Sequence, residues 1–232
     1  MASSLAAPTS ADTPTPLPAR VAGVSPAYWP RAKRALAVKD TTMATIIAAH
    51  PRVKLQSRGD AFVTLARAIV GQQISTKAAD AVWRRFCVAC GETSPKAILR
   101  RRATTLRRCG LSDRKVEYIR DLAAHFVSGR VDPLRFGEQG DEEIIAELID
   151  IRGIGRWTAE MFLIFNLLRP NVLPLDDLGL LKAVSVNYLG GEPVVGREGR
   201  ARVEKVAELW TPWRSVATWY LWRSLDPIPV TY

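Results

Sequence analysis

Two adjacent carboxylates, Asp176 and Asp177, open the apolar run LGLLKAV. Shortly before them the stretch RGIGRWTAE (152–160) gathers two arginines, two glycines and a tryptophan at the mouth of another apolar run. A fixed carboxylate can stabilise developing positive charge or activate water, and it can equally cap a helix; both uses are open for these aspartates. Gly153 and Gly155 would supply the positive dihedrals that a tight helix-to-helix connection needs. They also leave bare the backbone N–H groups that begin the second helix. Those amides lie at the positive end of a helix dipole, so the segment is suited to an anion such as a phosphate, with Arg152 and Arg156 adding charge on either side. A bare G-x-G would indicate only an ordinary corner between helices. The flanking arginines and the charge of the whole chain favour phosphate.

That charge is large. The 232 residues carry 33 Lys and Arg against 23 Asp and Glu, a formal net charge of +10, with 47% hydrophobic residues. Such a chain is globular, buries a core without staples, and suits a polyanionic partner. No apolar run approaches the roughly 18 residues of a membrane span, and the opening MASSLAAPTSADTPTPLPAR lacks the basic start and compact apolar stretch of a secretion signal. The expected location is cytoplasmic and nucleoid-associated, not secreted. Residues 1–25, rich in Ala, Ser, Thr and Pro, read as a disordered tail ahead of one domain over 26–232. Three cysteines argue against a disulfide framework. Cys87 and Cys90 form a C-x-x-C with no second ligand pair, which reads as two small residues of a buried helix face.

The elements that must hold the chemical groups are helical. DAFVTLARAIV has apolar residues at helical spacing behind Asp60 as cap, STKAADAVWRRFCVAC runs from Ser75 to Gly91, and SDRKVEYIRDLAAHF begins at a serine. DEEIIAELI starts with acidic residues where the dipole favours them. EMFLIFNLL is apolar on nearly every side, the mark of a central helix. PLDDLGLLKAVSVNYLGG runs from aspartates to glycines, and TPWRSVATWYLWRSL has Pro212 in its first turn. Apart from a short PVVG near 193, no strand pattern is visible.

LIDIRGIGRWTAEMFLIF followed by PLDD resembles the helix-hairpin-helix DNA glycosylase superfamily, within it the 3-methyladenine DNA glycosylase II branch. ARAIVGQQISTKAADAVW and GLSDRKVEYIRDLA resemble further segments of that family, so the similarity spans roughly 55–225. It implies an all-α, two-lobed fold with the active-site cleft between the lobes and the hairpin at about 141–168. An iron–sulfur cluster is excluded for want of a four-cysteine run, and the amino-terminal mixed domain of some relatives has no counterpart.

What the resemblance implies for single residues follows from its motifs. Asp177 matches the family's catalytic aspartate, with Asp176 its neighbour serving as a cap. Trp157, Met161 and Trp222 match the base pocket, where a flipped, electron-poor purine would lie against aromatic rings. Arg152, Gly153, Gly155, Arg156 and Thr158 would bind DNA phosphate. In GQQIS, Gln73 matches the side chain inserted into the duplex and Gln72 would face the opposite strand. Relatives bind a monovalent cation, sodium or potassium, through hairpin carbonyls that correspond to Ile149, Ile151 and Ile154; no organic cofactor is implied. Relatives that also cleave the strand carry a lysine where Trp157 stands, and an indole has no nucleophilic amine. The implied function is a monofunctional base-excision repair glycosylase acting as a monomer on alkylated purines in double-stranded DNA and leaving an abasic site. The alternatives are a glycosylase for uracil, hypoxanthine or an oxidised base, and a non-enzymatic DNA-binding module.

Overall fold

A computed structural model describes residues 22–52 and 54–225. The expected tail lies outside the described residues up to position 21. Residues 22–24 already belong to the folded chain: Ala22 bridges Arg58, the Gly23 N–H donates to Ser57 O at 2.8 Å, and the Ser57 N–H donates to Val24 O at 2.9 Å.

Among the described residues there are helices and no strand. In chain order they are α1 (Trp29–Lys39), α2 (Thr41–Ala49), α3 (Ala61–Gly71), α4 (Thr76–Cys90), α5 (Pro95–Arg100), α6 (Ala103–Arg108), α7 (Asp113–Val127), α8 (Asp141–Ile149), α9 (Arg156–Phe165), α10 (Leu178–Tyr188), α11 (Gly196–Ala207) and α12 (Arg214–Leu225). Two lobes follow from what packs on what. Helix α7 gathers α3, α5 and α6, while α3 also meets α4 and α9, and α8 pairs with α9; in the other lobe α12 packs on α1, α2 and α10, and α11 on α10.

Local sequence explains the boundaries. The side chains of Asp60, Ser75 and Ser112 accept from the backbone N–H of Val63, Ala78 and Lys115, each satisfying a donor that the helix leaves free, for roughly 1 kcal/mol apiece. Helix α9 is buried continuously from Ala159 to Phe165, as its all-round apolar pattern requires. Two boundaries differ from expectation. α12 begins at Arg214, two residues after Pro212. The PVVG stretch forms no strand and leads into α11 at Gly196; the buried residues of that helix are only Gly199, Val203 and Ala207, a stripe too narrow and too flanked by charge to register as a helix.

Behind α9, hydrogen bonds tie the end of that helix to the start of α3 and, through Tyr28, to the other lobe. Asn166, almost fully buried, donates from Nδ2 to Gly59 O and Thr64 Oγ1, both at 2.9 Å, and its carbonyl accepts from Ser57 Oγ at 3.0 Å. Tyr28 reaches across to Leu168 O at 2.6 Å. All three cysteines are free, and burial pushes the Cys90 thiol up to about 11, which suits packing and not redox chemistry.

Candidate active site

Asp177 stands where the lobes meet. It is the residue before α10, its backbone is extended, and its Oδ1 accepts from Leu180 N at 2.6 Å. The cap is thus Asp177 itself. Asp176, expected to cap, instead points outward and pairs with Arg200 at 2.8 Å, because the turn before α10 gives the cap geometry to the second aspartate. Two indoles complete the cage: Trp222 Nε1 of α12 donates to Oδ1 at 2.8 Å and Trp157 Nε1 of α9 donates to Oδ2 at 3.0 Å. Gly179 leaves room for this, since a β-carbon there would stand 3.1 Å from Oδ1 and 3.2 Å from the Trp222 ring.

Every donor to Asp177 is neutral, and no cation pairs with it among the described residues. The carboxylate is 3% exposed while Leu178 beside it is 80% exposed, so it lies just under the surface at the mouth of α10. Such an anion is held in place with its charge uncancelled. Lys182 is exposed, as a lysine facing away from the site must be.

On the other side of Trp157 opens a mostly apolar cavity of 480 Å³, a size that suits a small organic ligand. Trp157, Met161 and Phe165 lie at i, i+4 and i+8 along α9 and present one face to it, with Thr158 beside them. Gln72 and Gln73 form its rim. Trp222, matched to the pocket from sequence, is not on this wall. Its ring is 2% exposed and stacked within 11° of Phe165 at 5.7 Å between centroids, so Phe165 takes the pocket position and Trp222 supports it from the interior of α12. Phe165 was legible in principle, since it continues the spacing of Trp157 and Met161. Of the other tryptophans, Trp29 is buried against Tyr220, Trp213 is buried, and Trp219 lies half-buried beneath Arg223.

The hairpin joins α8 to α9. Gly153 has φ +82°, and a β-carbon there would fall 2.2 Å from the Tyr118 ring, so glycine is obligatory. Gly155 differs from expectation: φ is −98° with ψ 172°, extended backbone open to any residue, and nothing lies within 4 Å of where a β-carbon would go. The fold does not demand glycine at 155. Glycine is favoured at this position as the N-cap of α9, and it also leaves room for a partner's backbone to approach closely. Arg152 is exposed, and its backbone N–H donates to Asp121 Oδ2 at 2.9 Å. Arg156 is committed elsewhere: its Nη1 donates to Glu142 at 2.9 Å and its Nε to Glu160 at 3.0 Å, so two carboxylates take the charge that was expected to meet phosphate.

The rim loop carries strain at its tip. Gln73 is exposed with φ 57°, a conformation costly for a residue with a side chain. Gln72, expected to face a nucleic-acid strand, donates instead from Nε2 to Gly153 O at 2.7 Å and ties the loop to the hairpin. Lys115 Nζ braces the same loop through Val70 O at 2.8 Å and Gln72 O at 2.7 Å. Ile149, Ile151 and Ile154 sit where α8 ends; Ile151 O accepts from Ile154 N at 3.1 Å.

Residues 66–212 match the model of the HhH-GPD superfamily base excision DNA repair protein. The chain belongs to this superfamily. A relative from Schizosaccharomyces pombe, DNA-3-methyladenine glycosylase 1, is 36% identical over 164 residues, 69% of this chain and 70% of its own. Escherichia coli DNA-3-methyladenine glycosylase 2 is 27% identical over 75% of this chain and 61% of its own. Among solved structures, the DNA-3-methyladenine glycosidase of Bacillus halodurans superposes with a TM-score of 0.77 at 34% identity, covering 84% of this chain and 89% of that one. The fission-yeast 3-methyladenine DNA glycosylase in complex with abasic DNA gives 0.69 at 31% identity, covering 84% and 96%. The all-α, two-lobed architecture is that of the superfamily.

Proposed function

We propose that this protein is a base-excision repair DNA glycosylase that turns an alkylated purine of the 3-methyladenine type out of duplex DNA and hydrolyses its N-glycosidic bond. The observation that carries the reading is the Asp177 cage: a buried carboxylate held only by neutral donors, separated by one half-exposed indole from a cavity of base size. As the C1′–N bond breaks, its electron pair leaves with the base and positive charge builds on the sugar. An uncancelled carboxylate stabilises that charge and orients the water that adds to C1′. Trp157, in contact with both carboxylate and cavity, couples the position of the base to that of the anion.

DNA is held by the parts the fold leaves open. The unobstructed backbone at Gly155, the α9 amides behind it, and Arg152 and Thr158 nearby suit a phosphate. Gln73, exposed on a strained loop, suits the space a flipped base vacates. A sodium or potassium ion would be held by the carbonyls of Ile149, Ile151 and Ile154, a reading supported by the negative end of the α8 dipole, with Ile151 O also accepting from Ile154 N at 3.1 Å. Such an ion would add positive charge beside the phosphate. Trp157 is an indole with no nucleophilic amine, which supports water as the nucleophile and an abasic site as the product; the reading takes the enzyme as a monomer on damaged duplex.

The test is base release from randomly methylated DNA, with products resolved by chromatography and borohydride present in a parallel reaction. Release of methylated purines with intact strands and no trapped protein–DNA adduct is the expected result. Binding without release would leave a DNA-binding module, and a trapped adduct would make the protein a lyase.

A further inference from the structure

The cavity beside Trp157 holds a cation of the protein's own. Arg58 lines it, with its guanidinium carbon 4.7 Å from the centre of the Phe165 ring. The residue is fixed by its backbone, whose N–H donates to Phe165 O at the end of α9 at 3.0 Å. Its guanidinium makes no hydrogen bond and no ion pair among the described residues. Arg67 on the same wall differs, since Asp80 neutralises it at 2.7 Å. Burial first, and then the charge of Arg67, lower the Arg58 pKa to about 10, which leaves it protonated at neutral pH.

Solvent reaches the guanidinium nitrogens, and a fork of five N–H groups at a cavity wall can exchange that water for an acceptor on a bound base. The Phe165 face that could attract a cationic base is already occupied by this guanidinium. We propose that Arg58 is a specificity-determining residue that extends excision, beyond the alkylated purines of the proposed function, to lesions whose base is uncharged and presents a carbonyl or ring-nitrogen acceptor. This inference rests on the glycosylase reading above.

The chemistry gives the guanidinium a task that only neutral lesions need. When a cationic base leaves, the electron pair of the C1′–N bond neutralises it. When a neutral base leaves, the same pair makes it an anion, until the proton released as water adds to C1′ restores neutrality. A guanidinium stacked beside the leaving base attracts that anion and donates hydrogen bonds to it, whereas it repels a base that arrives positively charged.

Single-turnover excision by the full chain from a duplex containing hypoxanthine, compared with one containing cationic N7-methylguanine, separates the cases. Arg58→Met should slow hypoxanthine release about tenfold or more, on the scale of losing one charge-assisted contact to the transition state, and leave N7-methylguanine release unchanged or faster. Arg58→Lys should fall between. The ratio of the two rates does not depend on the fraction of folded enzyme, so loss of folded protein cannot move it, and the intermediate result expected for Arg58→Lys separates the charge from the packing against Phe165. Equal losses on both bases would overturn the proposal, as would a wild-type enzyme that releases only the cationic base. A loss of binding to undamaged duplex equal to the loss of excision would make Arg58 a phosphate contact and also overturn it. If the wild-type protein releases neither these bases nor any methylated purine, the glycosylase reading itself fails, and this shows before any variant is made.

Discussion

Asp40 and Asp177 are buried in the same way and placed for different ends. Asp40 caps α2 through Met43 N at 2.9 Å, and its Oδ2 accepts from the Tyr188 hydroxyl at 2.6 Å and the Trp210 indole at 3.1 Å. Asp177 caps α10 and accepts from two indoles. They are 6% and 3% exposed, and neither pairs with a cation among the described residues. The difference is in the donors. Those of Asp40 all belong to the lobe of α1, α2 and α10–α12, and Trp210 is fully buried. Those of Asp177 come from both lobes, and Trp157 is 36% exposed at the cavity wall. A cap reinforced by aromatic donors is therefore a structural device in itself; what makes one of the two a candidate reacting group is where it stands.

The isosteric pair Asp177→Asn and Asp40→Asn separates device from chemistry. Asp177→Asn should reduce release of methylated purines by roughly 10²–10³-fold, the usual consequence of removing one electrostatic contact to a transition state. Duplex binding should be unchanged. An Asp177→Asn protein with wild-type turnover, or equal loss per folded molecule in Asp40→Asn, would erase the distinction.

Glu160 sharpens the comparison because it is buried to a similar degree and held by the opposite means. It is 4% exposed and paired with Arg156, which also binds Glu142. Burial pushes its carboxyl up to about 7 from 4.5, with the Arg156 charge pulling the other way. A carboxyl whose folded pKa lies above its unfolded value binds its proton more tightly in the native state. Its contribution to stability is complete below about 4.5 and is lost as pH rises toward 7, by on the order of 3 kcal/mol. Denaturant titrations of wild type should show that decline between pH 5 and 7, and Glu160→Gln should flatten it while retaining excision. The same slope in both proteins would remove Glu160 as its source.

Asp40→Asn is expected to cost about 1–2 kcal/mol of unfolding free energy, because an amide nitrogen turned toward Trp210 opposes one N–H donor with another. Excision per folded molecule should stay within about twofold, a change of under roughly 0.5 kcal/mol in the barrier. A specific loss of excision would mean that the Asp40 cluster reaches the site through α10, whose Tyr188 it binds.

How far the sequence carried these distinctions can be read from single residues. Asp60, Ser75 and Ser112 cap the helices they precede, since capping is local and its partner is three residues away. Asp177 could be singled out through its spacing from the hairpin by family resemblance, but its being the cap was hidden, because that depends on a backbone turn. Trp222 and Phe165 were exchanged because both are aromatic and helical, and only the packing of α12 on α9 decides which ring faces the cavity. Arg156 has its carboxylates four and 14 residues away, and Arg58 is placed by a bond to residue 165. Glu160 lies at the i,i+4 spacing and was within reach of the sequence, whereas Glu142 on α8 and residue 165 beside Arg58 were not, because periodicity within one helix says nothing of contacts between elements.

The finest test removes one donor from each aspartate while keeping the ring. Trp157→Phe leaves an aromatic wall at the cavity and deletes the 3.0 Å bond to Asp177 Oδ2; Tyr188→Phe deletes the 2.6 Å bond to Asp40 Oδ2. Each bond is worth about 1 kcal/mol net, so the pair asks where that energy is felt. At the cavity the donor is half-exposed and water can replace it in the resting enzyme, so Trp157→Phe should leave the unfolding free energy nearly unchanged. During reaction the same donor fixes the carboxylate beneath the sugar, and its loss should slow single-turnover excision about five- to tenfold, equivalent to roughly 1 kcal/mol. In the other lobe burial, followed by the hydrogen bond to Asp40, raises the Tyr188 pKa, so the hydroxyl is neutral and its donation to Asp40 is purely structural. Tyr188→Phe should lower stability by about 1 kcal/mol and leave excision alone. A crossed result, with Trp157→Phe costing stability and Tyr188→Phe costing excision, would show that exposure of the donor does not decide which aspartate reacts.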